Sequence, residues 1–337
     1  MSLREGAALS EFAKIGVAGA GAWGLALANA AASAGRDVAV WGRDAGQMRS
    51  LRETRRDARL PGVALADSVV ASADIGALED CDAILVAVPA QTTRAVAGLL
   101  AARLARPRPL VACAKGIERG ADLFMTEVLA VAAPGWPPAI LSGPSFARDV
   151  AAGLPTAVTL ASADEALAQA LCAALRGPSL RLYHASDVRG VEIGGAAKNV
   201  LGIACGVAAG LELGASAAAA LIARGFAELR RFGEAFGARP STLMGLSGLG
   251  DLVLTCSSAQ SRNFAFGVAL GQGRSLDEAA GGKLVEGAYT ASALMQMARA
   301  RGVDMPISGA VEALLGGAVD ARAAVGALLA RPQRGEE

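Results

Sequence analysis

Three glycines at fixed spacing, Gly19, Gly21 and Gly24 in the run GAGAWG, follow one apolar stretch and open another. KIGVAGA (14–20) reads as a strand, and AWGLALANAAASAG (22–35) reads as a helix closed by Gly35. A strand that turns tightly into a helix is a strong restriction on topology. Gly19 permits the turn, Gly21 leaves the backbone open to close approach, and Gly24 lets helix and strand pack tightly. The helix N-terminus then offers unpaired N–H groups to an anion. The bare GxGxxG pattern is weak in a chain with 42 glycines. Its placement between strand and helix makes it a dinucleotide fingerprint.

Further apolar runs follow: DVAVWG (37–42), CDAILVAVP (81–89), PLVACAKG (109–116), PAILSGPS (138–145) and PTAVTLAS (155–162). Helical segments separate most of them. Near-continuous apolar strands joined by helices imply a parallel sheet covered on both faces, a doubly wound α/β Rossmann domain. After about Ser186 the pattern is helical throughout, which predicts an all-α C-terminal domain. The expected division is residues 1–187 (with 1–13 as an extension), 188–330, and a frayed tail 331–337.

The second strand ends VAVWGRD. An acidic residue at that strand end commonly holds the ribose hydroxyls of NAD(H). Here Arg43 comes first and Asp44 next. Arg43 suits the 2′-phosphate of NADP(H), with Asp44 left to cap the following helix, so NADP(H) is expected over NAD(H).

Positive charge is carried by 32 Lys and Arg residues, of which only Lys14, Lys115, Lys198 and Lys283 are lysines. Lys115 ends an apolar strand in AKGIE, where doubly wound sheets place ligands; a solvated loop lysine is the alternative. Lys198 stands in GVEIGGAAKN, four residues after Gly194 and on the same helix face. Glycine inside a helix costs about 1 kcal/mol relative to Ala, so something, a neighbouring domain or a cofactor ring with its substrate, is expected to approach that face closely. A lysine can surrender its proton and an arginine in practice cannot. Lys198 is therefore a candidate general acid or base, against the alternative of a snorkelling surface side chain.

Gly143-Pro144-Ser145 in LSGPSFA reads as a structural turn or as a backbone-and-hydroxyl contact to substrate. LSGLGD delivers Asp251 from a glycine-rich turn, and TCSSAQSRN ends in Ser261-Arg262-Asn263, a set of groups suited to phosphate oxygens. Leu284 and Glu286 precede another helix in KLVEG. His184, in RLYHASD, stands in no motif, and a structural or exposed role is expected.

Several classes are disfavoured. A formal net charge of +1 over 337 residues argues against a broad nucleic-acid surface. Cys81, Cys113, Cys172, Cys205 and Cys256 are scattered, and with one histidine they give neither a metal site nor a disulfide framework. Reduced thiols and a cytoplasmic location are expected. The stretch 200–223 is long and apolar enough to consider as a membrane span, but Glu212 near its middle favours a buried helical pair.

Taken together, GAGAWG, AKGIE, LSGPSFA, GVEIGGAAKNVLGIACG and GLGD…TCSSAQSRN resemble the bacterial NAD(P)-dependent sn-glycerol-3-phosphate dehydrogenase family, in order from about Ile15 to about Ile307. The resemblance implies a Rossmann domain followed by a helical domain of the 6-phosphogluconate-dehydrogenase type. It implies reversible reduction of dihydroxyacetone phosphate to sn-glycerol 3-phosphate for glycerophospholipid synthesis, and a homodimer. Carried over by motif, Lys198 is the catalytic proton acceptor. Lys115, Gly143, Ser145, Asp251, Ser261, Arg262 and Asn263 contact substrate. Gly19, Gly21, Ala22, Trp23, Gly24, Arg43, Lys115, Ala147, Arg262, Leu284 and Glu286 contact the cofactor. Ala22 replaces the family's serine in the glycine loop, and Ala215 and Ala219 replace an Asp and a Lys. The rival readings are another two-domain β-hydroxyacid or ketopantoate-type reductase, and a non-catalytic NADP-binding sensor.

Overall fold

Five buried strands and the turns that end them set the positions of the chemistry in the first half of the chain. The computed structural model describes residues 12–282 and 284–332. The rest of the expected extension (1–11), Lys283 and the tail from 333 lie outside the described residues. In chain order the elements begin β1 (Lys14–Ala18), α1 (Ala22–Ser33), β2 (Asp37–Trp41), α2 (Ala45–Thr54), β3 (Val69–Ser72) and β4 (Ala83–Val86). They continue α3 (Thr93–Arg103), β5 (Leu110–Ala112), α4 (Met125–Ala132), β6 (Pro138–Ser142), α5 (Ala147–Ala151), β7 (Thr156–Ala161), α6 (Glu165–Leu175) and β8 (Leu180–Ala185).

The strands form one eight-stranded sheet in the order β3-β2-β1-β4-β5-β6-β7-β8. All neighbouring pairs are parallel except β6 and β7, which run antiparallel. The expected all-parallel sheet is thus corrected at one pairing. The link from β6 to β7 holds only the short α5, and a parallel return needs a longer crossover of a dozen or more residues. The strand order reverses at β1, between β2 and β4, and that switch point is where such sheets bind ligands. One face is packed with Leu25, Leu51, Leu85, Leu141 and Leu171, and the other with Leu78, Ile84, Leu100, Met125 and Leu129.

Two strands were not anticipated. β3 is four residues long, and β8 is an edge strand in which buried Leu180 and Leu182 alternate with exposed Arg181 and Tyr183. His184 lies exposed on β8, with Nδ1 3.9 Å from Glu165 Oε1, at the opposite edge of the sheet from β3.

The remaining elements are helical: α7 (Val188–Gly210), α8 (Gly214–Ala235), α9 (Pro240–Leu243), α10 (Asp251–Cys256), α11 (Arg262–Gly271), α12 (Leu276–Ala280), α13 (Glu286–Ala300), α14 (Pro306–Leu315) and α15 (Ala321–Leu329). A π-type turn, Leu246–Gly250, leads into α10. Close contacts divide the chain into two units. The first holds residues up to Lys115 and Leu123–Glu192, and the second holds Gly116–Asp122 and everything from Ile193.

The candidate span at 200–223 is broken into α7 and α8, with Glu212 in the turn between them at φ 57°. Among the described residues α7 alone is long and apolar enough to cross a membrane, and most of its apolar stretch is buried within the protein. In the second unit, glycines replace side chains where α7 meets α11. A Cβ added at Gly206 would lie 2.1 Å from the Phe264 carbonyl oxygen, and one at Gly267 would lie 2.2 Å from that of Ile203. Only glycine permits backbones this close, and the contact brings the start of α11 to the middle of α7.

Candidate active site

In the first unit the candidate groups gather at the carboxyl ends of parallel strands. Gly19 has φ +121°, and a Cβ there would lie 2.4 Å from the Ala87 oxygen. A Cβ on Gly24 would lie 1.9 Å from the Gly19 oxygen. Both glycines are required by the turn itself. Gly21 is different: a Cβ there would meet nothing within 4 Å, so the surface over the α1 N-terminus is open. Gly21 caps α1 without a side-chain hydrogen bond, and Ala22 and Trp23 form its first turn. The Trp23 indole Nε1 is buried and has no hydrogen-bond partner among the described residues. An open cradle of N–H groups at the start of a helix fits the pyrophosphate of a dinucleotide. It does so without the hydroxyl that Ala22 lacks.

The glycine turn is tied to the end of β2, since the Gly19 N–H donates to the Trp41 oxygen at 2.8 Å. Arg43 lies just beyond that strand and is exposed. Asp44 accepts from the Gln47 N–H at 3.0 Å and caps α2. The carboxylate is thus engaged as a helix cap, and Arg43 is the charged group presented at the strand end.

Lys115 follows β5, and its Nζ donates to the Gly143 oxygen at 2.7 Å and lies 3.5 Å from Ser145 Oγ. Ser145 Oγ in turn donates to the Gly143 oxygen at 2.9 Å. Gly143 has φ +141°, and an added Cβ would lie 2.9 Å from Val158 Cα. LSGPS is therefore a built turn that aims a carbonyl and a hydroxyl at the lysine. Ala147 opens α5 and packs on the sheet's core.

In the second unit Lys198 is 6% exposed on α7 and forms an ion pair with Asp251, 1% exposed at the start of α10. A Cβ at Gly194 would lie 2.4 Å from the Ser247 oxygen. The close approach expected on that face is made by neither a neighbouring domain nor a ligand but by the Leu246–Gly250 turn of the same unit, which delivers Asp251.

Ser261, Arg262 and Asn263 occupy the N-cap and first two positions of α11, with Ser261 Oγ accepting from the Phe264 N–H at 3.3 Å. These positions carry the positive end of the helix dipole. Asn263 is buried. Its Nδ2 donates to Asn199 Oδ1 at 2.9 Å, and its Oδ1 accepts from the Gly287 N–H at 3.0 Å. One of its two amide hydrogens remains uncommitted by these bonds. Arg262 is exposed and donates to the Leu284 oxygen at 3.2 Å, while Glu286 opens α13.

Asn199 was missed as a separate functional residue, although it stands beside Lys198. Its only signal was that adjacency; its role comes from a partner 64 residues away. His184 belongs to neither group of residues. Ala215 and Ala219 lie exposed on the first turns of α8.

The sequence matches the family described as NAD-dependent glycerol-3-phosphate dehydrogenase, its N-terminus over residues 14–168 and its C-terminus over residues 187–326. It is 62% identical over 329 residues to glycerol-3-phosphate dehydrogenase (NAD(P)+) of Azorhizobium caulinodans, covering 97% of this chain and 100% of that one. It is 60% identical to the protein of the same name from Methylobacterium radiotolerans, covering 96% of this chain and 98% of the relative. The crystal structure of glycerol-3-phosphate dehydrogenase from Coxiella burnetii superposes with a TM-score of 0.90 at 37% identity, covering 95% of this chain and 99% of that one. With both halves of the family matched in order along one polypeptide, the chain belongs to the NAD-dependent glycerol-3-phosphate dehydrogenases.

Proposed function

We propose that this protein catalyses the reversible, NAD(P)H-dependent reduction of dihydroxyacetone phosphate to sn-glycerol 3-phosphate, supplying glycerophospholipid synthesis. The observation that carries the reading is the buried Lys198–Asp251 pair, joined through Asn199 and Asn263 to a helix N-terminus bearing Ser261 and Arg262. When bound, the nicotinamide cofactor supplies the hydride.

Each group has a defined task. The α1 N-terminus, Gly21 and Trp23 hold the dinucleotide, and Arg43 pairs with a 2′-phosphate. Lys198 gives its ammonium proton to the oxygen of the developing alkoxide, and takes it back in the oxidative direction. Asp251 fixes Lys198 in a water-poor setting, where aligned charge is worth more than in solvent. Lys115, oriented by Gly143 and Ser145, positions the substrate oxygens. Arg262, Ser261 and Asn263 receive the phosphate, with the helix dipole adding to the guanidinium charge. Leu284 and Glu286 support Arg262 and the cofactor. A cytoplasmic homodimer without a membrane span completes the proposal, on the strength of the family resemblance.

The test is loss of NADPH absorbance on adding dihydroxyacetone phosphate. The expected result is saturable oxidation with a higher kcat/KM for NADPH than for NADH, and an Arg43→Ala variant in which that preference collapses. Binding of NADPH without turnover would make the protein a sensor. Turnover of β-keto acids or ketopantoate in preference would make it a different reductase.

A further inference from the structure

The carbonyl of Ala20, between the first two glycines of the GAGAWG turn, accepts two side-chain hydrogen bonds from outside the turn. Gln47 Nε2 donates to it at 2.7 Å, and Arg59 Nη1 donates to it at 3.3 Å. Gln47 lies on the first turn of α2, and Arg59 lies in the loop after that helix. The loop therefore folds back on the start of α2, and it is fixed there. Gln47 Nε2 also donates to Asp57 Oδ2 at 2.7 Å, and Asp57 Oδ1 accepts from the Arg59 N–H at 2.8 Å. Leu60 is buried in the same core as Leu25 and Leu51. The far end of the loop is pinned to α1, where Asn29 donates to the Ala64 oxygen at 2.8 Å and accepts from the Ala66 N–H at 2.9 Å.

We propose that Arg59 is a second cofactor-binding cation, closing with Arg43 on the 2′-phosphate of NADP(H) and setting the preference for it over NAD(H). The proposal rests on the reading above, that the glycine turn holds a nicotinamide dinucleotide.

A guanidinium has five N–H donors. Among the described residues the Arg59 side chain commits one of them, to Ala20, and the side chain is exposed. Gln47 serves the same carbonyl at the shorter distance, so the turn does not depend on the arginine. What the bracket of Gln47 and Asp57 adds is a fixed cation with uncommitted donors at the edge of the dinucleotide cradle. Arg43 reaches the same edge from the end of β2. A Cβ on Gly42 would lie 3.0 Å from Ala20 Cβ, so the residue before Arg43 abuts the residue that Arg59 touches. A site for the ribose hydroxyls of NAD(H) places a carboxylate here. Both carboxylates at this edge are engaged within the protein instead: Asp44 caps α2, and Asp57 holds Gln47 and the Arg59 N–H. Two guanidinium groups flanking one turn match a phosphate ester, whose oxygens accept from more than one of them.

The test is the dissociation constants of NADPH and NADH, read from cofactor fluorescence with the full-length protein and its Arg59→Gln variant. Glutamine removes the charge, while Gln47 still holds the Ala20 carbonyl. The expected result is NADPH binding weaker by about tenfold or more, with NADH affinity close to wild type. Arg52→Gln, which removes the same charge from an exposed position on α2, leaves both affinities close to wild type. An equal loss for NADPH and NADH in Arg59→Gln overturns the proposal, because NADH shares the pyrophosphate and lacks the 2′-phosphate. An equal loss of NADPH affinity in Arg52→Gln also overturns it, by showing a general effect of charge. Unchanged NADPH affinity in Arg59→Gln, where Arg43→Ala still weakens it, removes Arg59 from the site and leaves Arg43 standing. A wild type that binds neither cofactor overturns the dinucleotide reading itself, and the proposal with it.

Discussion

Lys198 is one of four lysines in a chain that otherwise uses arginine, and its surroundings account for the choice. It is buried and paired with the Asp251 carboxylate, and in the proposed reaction it releases a proton. Arginine would satisfy Asp251 as well or better but could not deliver the proton. Arg262 shows the opposite choice. It is exposed at the N-terminus of α11 and bonded to the Leu284 oxygen, and a permanent planar cation suits the phosphate proposed to bind there. Arg262→Ala is expected to raise KM for dihydroxyacetone phosphate by roughly ten- to a hundredfold, from about 1.5–3 kcal/mol per lost charged hydrogen bond, with kcat less affected. Steady-state kinetics with unphosphorylated dihydroxyacetone provide the check, since an equal loss there removes the case for phosphate recognition.

Helices α7 and α11 hold the site through glycines rather than large side chains. Gly206→Ala forces a methyl against the Phe264 oxygen. It is expected to cost about 1–3 kcal/mol of stability, read in a denaturant titration, and to lower activity by moving Asn263 from Asn199. The start of α7 is held differently. The Glu192 carboxylate accepts from the Thr126 N–H and hydroxyl, both at 2.8 Å, and from Arg189 at 3.3 Å. Burial pushes its pKa up to about 7, and those bonds and the Arg189 charge only partly offset it. The folded protein therefore binds this proton more tightly than the unfolded chain. The stabilisation is complete below the ordinary value of 4.5 and is lost as pH rises through about 7. Wild type is expected to lose stability relative to Glu192→Gln between pH 5 and about 7.5, and thermal melts of the two proteins across that window test the sign. These elements were unevenly legible in the sequence. The glycine turn, the apolar strands and the N-terminal position of Ser261-Arg262-Asn263 follow from local pattern. β8 escaped because an edge strand alternates buried leucines with Arg181 and Tyr183, which blurs its apolar signal. The antiparallel β6–β7 pairing escaped, as did the identity of the Ser247 turn that makes the expected close approach to Gly194, because both depend on partners distant in sequence.

The chain as a whole assigns its chemistry by unit. The first unit carries the open glycine turn, Arg43 and the Lys115–Gly143–Ser145 group. The second carries Lys198, Asp251 and the α11 N-terminus. That division explains why a near-neutral chain can handle two anionic ligands. In the proposed site the positive groups are local ones, Arg43 and Lys115 in the first unit and Lys198 and Arg262 in the second, added to helix N-termini. It also means that a single substitution in the second unit can abolish chemistry while leaving cofactor capture in the first. Turnover of Lys198→Ala with NADPH and dihydroxyacetone phosphate, alongside NADPH affinity from fluorescence and the circular dichroism of the folded state, reads that separation directly. The expected result is a kcat lower by about 10²–10⁴, with cofactor affinity and helical signal close to wild type. Wild-type turnover in that variant would contradict the assignment of Lys198 as the proton donor.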